Sequence, residues 1–308
     1  MSKKLFALET KDSHVRIWFF GIKFRFLKPS IRKQRKALEN KYKGEEIRNI
    51  PKAEGRLRLI QTAYLGLFEM FDDICKTNDL TYWLDFGTLL GAERHSGFIP
   101  WDDDIDVSMM REDYEKLIEL ISKGIEKYPD LYCFFSNNGE NKCFLKVKHK
   151  KSDNIFVDVF PYEYYHSKLN DNEKAKLSKK IGKLMETKVK TKDTSDDSMR
   201  SYLKLRTQKD ILQHKKVDAN SKPALFYGLD FPHKWSNRAF DYEDIFPLNK
   251  IPFEGIDLPC PNNHKKVLTK IFGDYMVIPR NTYPMHAWFQ EISEDELNFY
   301  RQISGNHK

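Results

Sequence analysis

Hydrophobic residues recur every three or four positions between Arg56 and Lys76, which is the spacing of one face of a helix. The residues on this face are Leu57, Ile60, Tyr64, Leu67, Phe68, Phe71, Ile74 and Cys75. The same spacing returns between Arg111 and Tyr128, where charged residues fill the other positions. The pattern predicts two amphipathic helices, of which the first is the longest core helix.

Between these helices the pattern changes to short apolar runs. Residues 82–84 (YWL) predict a strand, residues 87–91 (GTLLG) predict a turn that opens a short helix, and residues 105–110 (IDVSMM) predict a second strand. The predicted order is therefore helix, strand, turn with short helix, loop, acidic strand and helix.

Three further apolar runs, at 131–138, 143–150 and 154–165, predict strands. Because proline has no N–H to donate within a sheet, we expect Pro161 to end the third strand. Residues 168–192 then contain nine lysines around a few apolar positions, which predicts an amphipathic helix with a charged, solvated outer face.

The N-terminal residues combine aromatic and basic side chains. Residues 15–28 (VRIWFFGIKFRFLK) alternate apolar residues with Lys and Arg around Gly21 and predict a hairpin with one apolar face. This hairpin could be a small satellite of the core, or it could contact an anionic membrane, where each basic residue contributes about 1 kcal/mol. Residues 29–50 predict a basic, solvated helix or linker.

Charge is distributed unevenly along the 308 residues. Residues 1–50 hold fourteen Lys and Arg against five Asp and Glu, whereas the rest of the chain holds 39 basic and 40 acidic residues. The net charge of +8 therefore belongs to the N-terminus, and it gives no reason to expect nucleic acid as a partner of the core.

The four cysteines, Cys75, Cys133, Cys143 and Cys260, lie far apart and show no CxxC spacing. They indicate neither a zinc site nor a disulfide framework, and we expect them to be reduced. No apolar run approaches the roughly 20 residues that span a bilayer. These features predict a cytoplasmic protein, with peripheral attachment at the inner face of the membrane as an option for its N-terminal residues.

The strongest chemical signal is the segment at 97–110, GFIPWDDDIDVSMM, in which four aspartates fall within five positions. Like charges repel, so such a cluster is expected around a cation or in a fully solvated loop. In a strand Asp104 and Asp106 share one face about 6.8 Å apart, while Ile105 and Val107 anchor the other face in a core. Mg²⁺, or Mn²⁺ in its place, suits this pair because carboxylate and phosphate oxygens complete its octahedron.

Asp102 has the same parity but lies about 13 Å from the last aspartate in an ideal strand, so it is an auxiliary ligand before the strand begins. Asp103 is left with a supporting role in the loop. An EF-hand loop would need Gly at Val107 and Glu at Asp113, and this chain has neither. A solvated acidic loop would not need the apolar alternation that follows.

A third carboxylate is needed in most two-metal phosphoryl-transfer sites. Asp158 is the expected supplier, because it stands alone in the apolar run IFVDVF, where an unpaired charge is expensive. It would act as third metal ligand or as general base for the attacking hydroxyl. Pairing with a nearby lysine is the alternative explanation, and the sequence leaves it open.

The segment DFGTLLG supplies Asp85, Gly87 and Thr88 directly after an apolar strand. A glycine turn that opens a helix exposes backbone N–H groups that can hold phosphate, and a threonine hydroxyl adds a donor. Because this turn precedes the paired aspartates by about fifteen residues, we expect all three residues to contact a phosphate-bearing cofactor or donor.

Several separate blocks of this sequence resemble the LicD phosphotransferases, of which fukutin and fukutin-related protein are distant relatives. The blocks run from YWLDFG to YEKL at 82–117, cover LKVKHK at 145–150 and FVDVFPY at 156–162, and end with FPLNK to MVIP at 246–279. Together they cover most of residues 56–290.

The resemblance implies an α+β fold of the nucleotidyltransferase type, in which helices flank a mixed β-sheet, with a Lys-rich helical insertion and a C-terminal α/β extension. The implied division is a basic aromatic segment at 1–50, a catalytic core at 51–165, the insertion at 166–222 and the remainder of the LicD-like domain at 223–308.

The resemblance also assigns site residues. It places the family's glycine turn, metal-binding aspartates and later strand aspartate on Gly87, Thr88, Asp102, Asp104, Asp106 and Asp158. Arg94 and Lys146 would bind the diphosphate of a donor, or would be surface ion-pair residues. His286 resembles a histidine near the family's C-terminus, for which a structural role is the simpler explanation.

The implied activity is Mg²⁺-dependent transfer of phosphocholine or a phospho-alditol from a CDP-linked donor to a hydroxyl of a glycan or lipid-linked glycan. Such a reaction belongs to the synthesis of cell-surface polysaccharide, lipopolysaccharide or capsule. A nucleotidyltransferase would move the nucleotide itself, and a GT-A glycosyltransferase would use an Asp-x-Asp site with a nucleotide sugar, although the GTLLG turn argues against that order. A binding module with an inert core is the remaining alternative.

Overall fold

A computed structural model describes residues 44–136, 144–165, 168–186, 222–227, 239–278 and 292–305, the backbone of three strands before residue 28, and isolated helical positions between 29 and 40. The strands are β1 (Phe6–Lys11), β2 (His14–Phe19), β3 (Ile22–Leu27), β4 (Tyr82–Leu84), β5 (Ile105–Met110), β6 (Leu131–Ser136), β7 (Phe144–His149), β8 (Ser152–Tyr164), β9 (Leu225–Tyr227), β10 (Ala239–Phe240), β11 (Asn249–Phe253) and β12 (Ile256–Cys260). The helices are α1 (Gly55–Thr77), α2 (Phe86–His95), α3 (Arg111–Lys123), α4 (Asp171–Glu186), α5 (Tyr242–Ile245), α6 (His264–Phe272) and α7 (Glu294–Ile303).

Helix α1 is the long core helix that the apolar spacing predicts, and every residue of the predicted face is buried. Asn78 ends it by donating both its backbone N and its side-chain Nδ2 to Ile74 O. Gly66 lets α7 approach closely, because a Cβ at this position would lie 2.4 Å from Ile303 O. Helix α1 therefore packs against α7 on one side and against β8 on another.

A mixed sheet forms the centre of the molecule, with strand order β10-β9-β8-β5-β4 and with β7 and then β6 added beside β8. Strands β5 and β8 run parallel, whereas the other pairings of this sheet are antiparallel. Helices cover the sheet, so the α+β class with a nucleotidyltransferase-like sheet is confirmed. Strands β9 and β10, from the C-terminal third of the chain, extend the same sheet.

The prediction that Pro161 ends its strand is wrong, since β8 continues to Tyr164. On one edge β8 pairs with β7 up to Val159 and with β9 from Tyr162 onward. Pro161 lies in the gap between these two antiparallel partners, so no hydrogen bond on that edge needs its missing N–H.

The N-terminal hairpin is confirmed by the register of β2 and β3, in which Phe19 pairs with Ile22. Strand β1, which the sequence analysis did not predict, pairs with β2 and completes a three-stranded antiparallel sheet. The expectation of a solvated linker before α1 fails at its end, because Ile47, which begins a short 3-10 helix (Ile47–Asn49), and Ile50, which follows it, are buried in the core.

The Lys-rich segment forms α4, as predicted, but its lysines are not all solvated. Lys174 is buried and its Nζ lies 2.9 Å from Asp241 Oδ1, so this helix is tied to the C-terminal part of the chain. Leu177, on the apolar face, is buried.

Of the described cysteines, Cys75 and Cys260 are buried free thiols, while Cys143 and His286 lie outside the described residues. Among the helices that the structure describes, none is long and apolar enough to cross a membrane.

Candidate active site

Asp104, Asp106 and Asp158 converge at one point of the central sheet, where one carboxylate oxygen from each lies within 4.8 Å of the others. Asp106 and Asp158 are register partners on the parallel strands β5 and β8, so their side chains stand side by side on one face. Asp104 directly precedes β5. Ile105 and Val107 are fully buried on the opposite face and fix the strand in the core. We call the three aspartates the carboxylate triad.

The surroundings of Asp106 in the carboxylate triad disfavour its charged form. Burial, and then the charges of Asp104, Asp158 and Asp102, raise the pKa of Asp106 well above its usual range, although a hydrogen bond from the Gly87 N–H opposes this. A divalent cation would remove the repulsion between the carboxylates. A donor set made only of carboxylate oxygens fits Mg²⁺ or Mn²⁺ and does not fit a thiolate-preferring metal.

The glycine turn holds the triad in place. Gly87 N donates to Asp106 Oδ2 at 3.1 Å, and Thr88 Oγ1 accepts from Asp106 N at 2.8 Å. A Cβ at Gly87 would lie 2.8 Å from Asp102 Oδ2 and 3.4 Å from Asp106 Oδ2, so glycine is what lets these carboxylates approach the start of α2. Asp102 therefore stands beside the triad rather than within it. The Gly87 N–H and the Thr88 hydroxyl, which we expected to hold phosphate, contact Asp106 in this structure.

Asp85 lies away from any exposed surface, which corrects the expectation that it contacts a phosphate-bearing ligand. It is fully buried, and its carboxylate accepts hydrogen bonds from Phe86 N, Ser108 Oγ, Tyr162 OH and Tyr227 OH at 2.7–3.1 Å. Burial raises the pKa of Asp85, and these hydrogen bonds oppose the rise. Asp85 caps the N-terminus of α2 and links it by hydrogen bonds to β5, β8 and β9, so it stabilises the position of the glycine turn.

Lys146 contacts a member of the triad. Its Nζ lies 2.6 Å from Asp158 Oδ1, and the two residues are register partners on β7 and β8. The same ammonium lies 3.3 Å from the centroid of the Phe156 ring. Asp158 thus pairs with a lysine, which was one of the two explanations that the sequence left open, and it also belongs to an acidic cluster.

Arg94 lies near the other end of α2. It is 6% exposed, and its Nη2 donates to Val277 O at 3.3 Å. Burial lowers the pKa of Arg94 to about 10. Within the described ranges Arg94 forms no ion pair, so it is not the surface ion-pair residue that was one alternative. The neighbouring His95 has its pKa lowered to about 4 by burial and by Arg94.

Residues 96–104, which connect α2 to β5 and which we call the acidic loop, are held by two residues that the sequence analysis missed. Gln61 Nε2 donates to Ile99 O at 3.2 Å and to Asp102 O at 2.9 Å. Glu254 Oε1 accepts from Phe98 N at 3.1 Å. Gln61 is a polar residue at a position of the apolar face of α1, and this exception to the pattern was the signal that could have identified it.

Comparison with known proteins agrees with this geometry. Residues 79–183 match the family described as LicD/FKTN/FKRP, nucleotidyltransferase domain. The lipopolysaccharide cholinephosphotransferase LicD of Haemophilus influenzae is 26% identical over 246 residues, which cover 72% of this chain and 92% of that protein. The human ribitol 5-phosphate transferase FKRP is 25% identical over 206 residues, which cover 67% of this chain and 30% of that protein.

An uncharacterized protein of Rickettsia typhi, RT0683, is 30% identical over 122 residues, 36% of this chain and 38% of that protein. The family match contains the glycine turn, the acidic loop and all three triad aspartates. Residues 79–183 are therefore similar to the nucleotidyltransferase domain of the LicD family, and the similarity to the Haemophilus influenzae relative extends over 246 residues.

Proposed function

We propose that this protein is a LicD-type phosphotransferase that uses Mg²⁺ or Mn²⁺ to move phosphocholine or a phospho-alditol from a CDP-linked donor to a glycan hydroxyl. The observation that carries the proposal is the convergence of Asp104, Asp106 and Asp158 beside the N-terminus of α2. The names of two relatives support the type of transferred group, since one is a cholinephosphotransferase and another a ribitol 5-phosphate transferase.

Asp104, Asp106 and Asp158 would hold the metal, with Asp102 as an auxiliary. When bound, the cation would supply charge neutralisation at the donor's diphosphate, which favours departure of CMP. Gly87 and Thr88 fix Asp106 through the hydrogen bonds described above, so the triad is preorganised for this task. Preorganised electrostatics then account for most of the catalysis.

Asp158 has a second role available. Its carboxylate would accept the proton of the acceptor hydroxyl when that oxygen attacks phosphorus. Lys146, at 2.6 Å from Asp158, is placed to turn its ammonium toward a phosphate oxygen once the carboxylate is otherwise engaged. These two residues would therefore link donor binding to deprotonation of the acceptor.

The proposal is tested by incubating the purified protein with a panel of CDP-linked donors, a glycan acceptor and Mg²⁺, and by following release of CMP. We expect CMP from at least one donor, no release in EDTA, and a loss of at least about 100-fold in Asp104→Asn and Asp158→Asn. Asp153→Asn, an exposed aspartate at the start of the same strand β8, is the matched control and should retain activity.

Two results would contradict the proposal. Release of the donor's phospho-substituent, such as phosphocholine, with CMP joined to the acceptor would indicate a nucleotidyltransferase. Substantial activity in folded Asp104→Asn or Asp158→Asn protein would remove these residues from the reaction.

For the N-terminal sheet we propose contact with an anionic membrane, which would bring the enzyme to a lipid-linked acceptor. The backbone register pairs Val15 with Phe26, Ile17 with Phe24 and Phe19 with Ile22, so apolar residues of the two strands stand at paired positions. Sedimentation with phosphatidylserine vesicles and with phosphatidylcholine vesicles tests this contact. Binding to the anionic vesicles alone is expected, and binding to neither would contradict it.

A further inference from the structure

Glu254 stands at the tip of the β11–β12 hairpin in a backbone conformation that glutamate rarely adopts. Its φ is 50° and that of Gly255 is 89°, the pair of positive values that a two-residue type I′ turn requires. Asn or Asp before Gly suits such a turn best, because a short polar side chain tolerates the left-handed region. A glutamate at this position indicates that its longer side chain makes contacts with another part of the fold, which offset the cost of this backbone conformation.

The Glu254 side chain, which is 3% exposed, reaches the acidic loop. Its Oε1 accepts from Phe98 N at 3.1 Å, and its backbone N donates to Ser96 O at 2.9 Å. Its Oε2 accepts from Lys52 Nζ at 2.7 Å and from Arg58 Nη2 at 2.8 Å. The hairpin tip is therefore bonded to the beginning of the acidic loop, and two cations hold the carboxylate in that position.

Glycines leave the space for this arrangement. A Cβ at Gly97 would lie 2.2 Å from Glu254 Oε1, and a Cβ at Gly91 of α2 would lie 2.4 Å from Gly97 O. The beginning of the acidic loop is thus enclosed between α2 and the hairpin tip, with no room for a side chain on either side.

The far part of the acidic loop is fixed by Gln61 of α1, which donates to Ile99 O and to Asp102 O. Asp102 and Asp104 lie at and just beyond this second attachment. Their carboxylates are therefore placed by a loop whose two ends are bonded to different parts of the fold.

We propose that Glu254 is a positioning residue of the active site, which sets the acidic loop so that Asp102 and Asp104 stand beside Asp106. The inference rests on the proposed function and extends it to a residue far along the chain. Glu254 acts through the backbone of the loop, and Gln61 acts in the same way at the other end.

The test compares Glu254→Ala, Glu254→Gln and Gln61→Met with a matched control, Glu163→Gln. Glu163 is also a buried carboxylate bonded to an arginine, since its Oε1 accepts from Arg111 Nε at 2.7 Å, and its hydrogen bonds and ion pairs within the described residues involve neither the loop nor the triad. For each protein the thermal midpoint, the dissociation constant for Mn²⁺ by electron paramagnetic resonance, kcat and KM are measured.

We expect Glu254→Ala and Gln61→Met to weaken Mn²⁺ binding and to lower kcat by up to about 100-fold, because small displacements of reacting groups have effects of that size. KM should change much less than kcat. Glu254→Gln keeps an oxygen that accepts from Phe98 N and should recover part of the lost kcat. Glu163→Gln should lower the thermal midpoint without changing Mn²⁺ affinity.

Wild-type Mn²⁺ affinity and kcat in folded Glu254→Ala and Gln61→Met would overturn the inference and leave the proposed function intact. If Glu254→Ala does not fold, Glu254→Gln and Gln61→Met decide the same question. A wild-type protein that neither binds Mn²⁺ nor releases CMP would overturn the proposed function, and the inference with it.

Discussion

Lys146 Nζ lies 2.6 Å from Asp158 Oδ1, across a register pair of strands β7 and β8. The same Asp158 carboxylate belongs to the carboxylate triad. An ammonium group and a divalent cation would therefore compete for one carboxylate. The lysine pairs with Asp158 here, and a metal ion bound at the triad would have to share this carboxylate with the lysine or displace it.

Replacing Lys146 by glutamine should therefore tighten Mn²⁺ binding in the absence of donor and weaken binding of the donor. A hydrogen bond to a charged group contributes about 1.5–3 kcal/mol, so we expect a change of about tenfold or more in the metal dissociation constant. Mn²⁺ titration measures the first effect and KM for the donor measures the second. Lys150→Gln, at an exposed lysine of the same β7–β8 connection, is the control. Weaker Mn²⁺ binding in Lys146→Gln would refute the competition.

Asp106→Asn should stabilise the metal-free protein at neutral pH. Burial and the neighbouring carboxylates raise the pKa of Asp106 above its unfolded value, so its ionised form opposes folding. This penalty is absent below the unfolded pKa, where the carboxyl is protonated in both states, and it grows as the pH rises toward the folded-state pKa. Thermal midpoints in EDTA should therefore differ between variant and wild type at pH 7, and should approach each other in acid.

The same two proteins in excess Mg²⁺ provide the opposite comparison. Metal binding stabilises the wild type by mass action and cannot do so fully in Asp106→Asn. The higher thermal midpoint of Asp106→Asn relative to wild type should therefore become smaller or be reversed. An Asp106→Asn protein that is less stable than wild type in EDTA at pH 7 would show that repulsion is not the dominant effect in the triad.

Gly87→Ala should remove activity and leave the protein folded. The new methyl group would lie 2.8 Å from Asp102 Oδ2 and 3.4 Å from Asp106 Oδ2, so the carboxylates would have to move. Because they are side-chain atoms, the fold can adjust while the site geometry is lost. We expect a loss in kcat of about 100-fold, with a circular dichroism spectrum like that of the wild type. Normal kcat in this variant would mean that the carboxylates do not need this position.

Gly66→Ala should have the reverse effect. Its Cβ would lie 2.4 Å from Ile303 O, a backbone atom of α7, so the two helices must separate. Overpacking of this kind typically costs about 1–3 kcal/mol. Denaturant unfolding measures the loss, and kcat per folded molecule should stay unchanged because the contact lies outside the acidic loop and the triad. A stable but inactive Gly66→Ala would contradict this separation of roles.

The triad was largely accessible from sequence, because strand alternation pairs Asp104 with Asp106 and an isolated charge in an apolar run identifies Asp158. What the sequence could not show is that β5 and β8 run parallel in a register that places Asp106 opposite Asp158. That relation depends on pairing between strands that are far apart in the chain. The position of Pro161 could not be predicted for the same reason. A proline is tolerated at this point of β8 because β7 ends before it and β9 begins after it on the same edge.

Asp85 and Glu254 show what local pattern omits. Asp85 resembles a residue of a phosphate-binding turn, yet the folded chain brings three hydroxyls from β5, β8 and β9 to its carboxylate. Glu254 lies about 150 residues beyond the acidic loop and gives only one local signal, an unusual residue for a type I′ turn. Both roles depend on tertiary contacts, which cannot be inferred from the spacing of residues along the sequence.

We propose above all that the carboxylate triad is a divalent metal site that binds the donor's phosphates. The most direct measurement is a crystal structure of the protein with Mn²⁺ and CDP, in which anomalous scattering locates the metal. We expect one anomalous peak bonded to carboxylate oxygens of Asp104, Asp106 and Asp158 and to a CDP phosphate oxygen, with Lys146 Nζ turned away from Asp158. The absence of a peak at the triad, with the Lys146–Asp158 contact unchanged and CDP elsewhere, would contradict the claim.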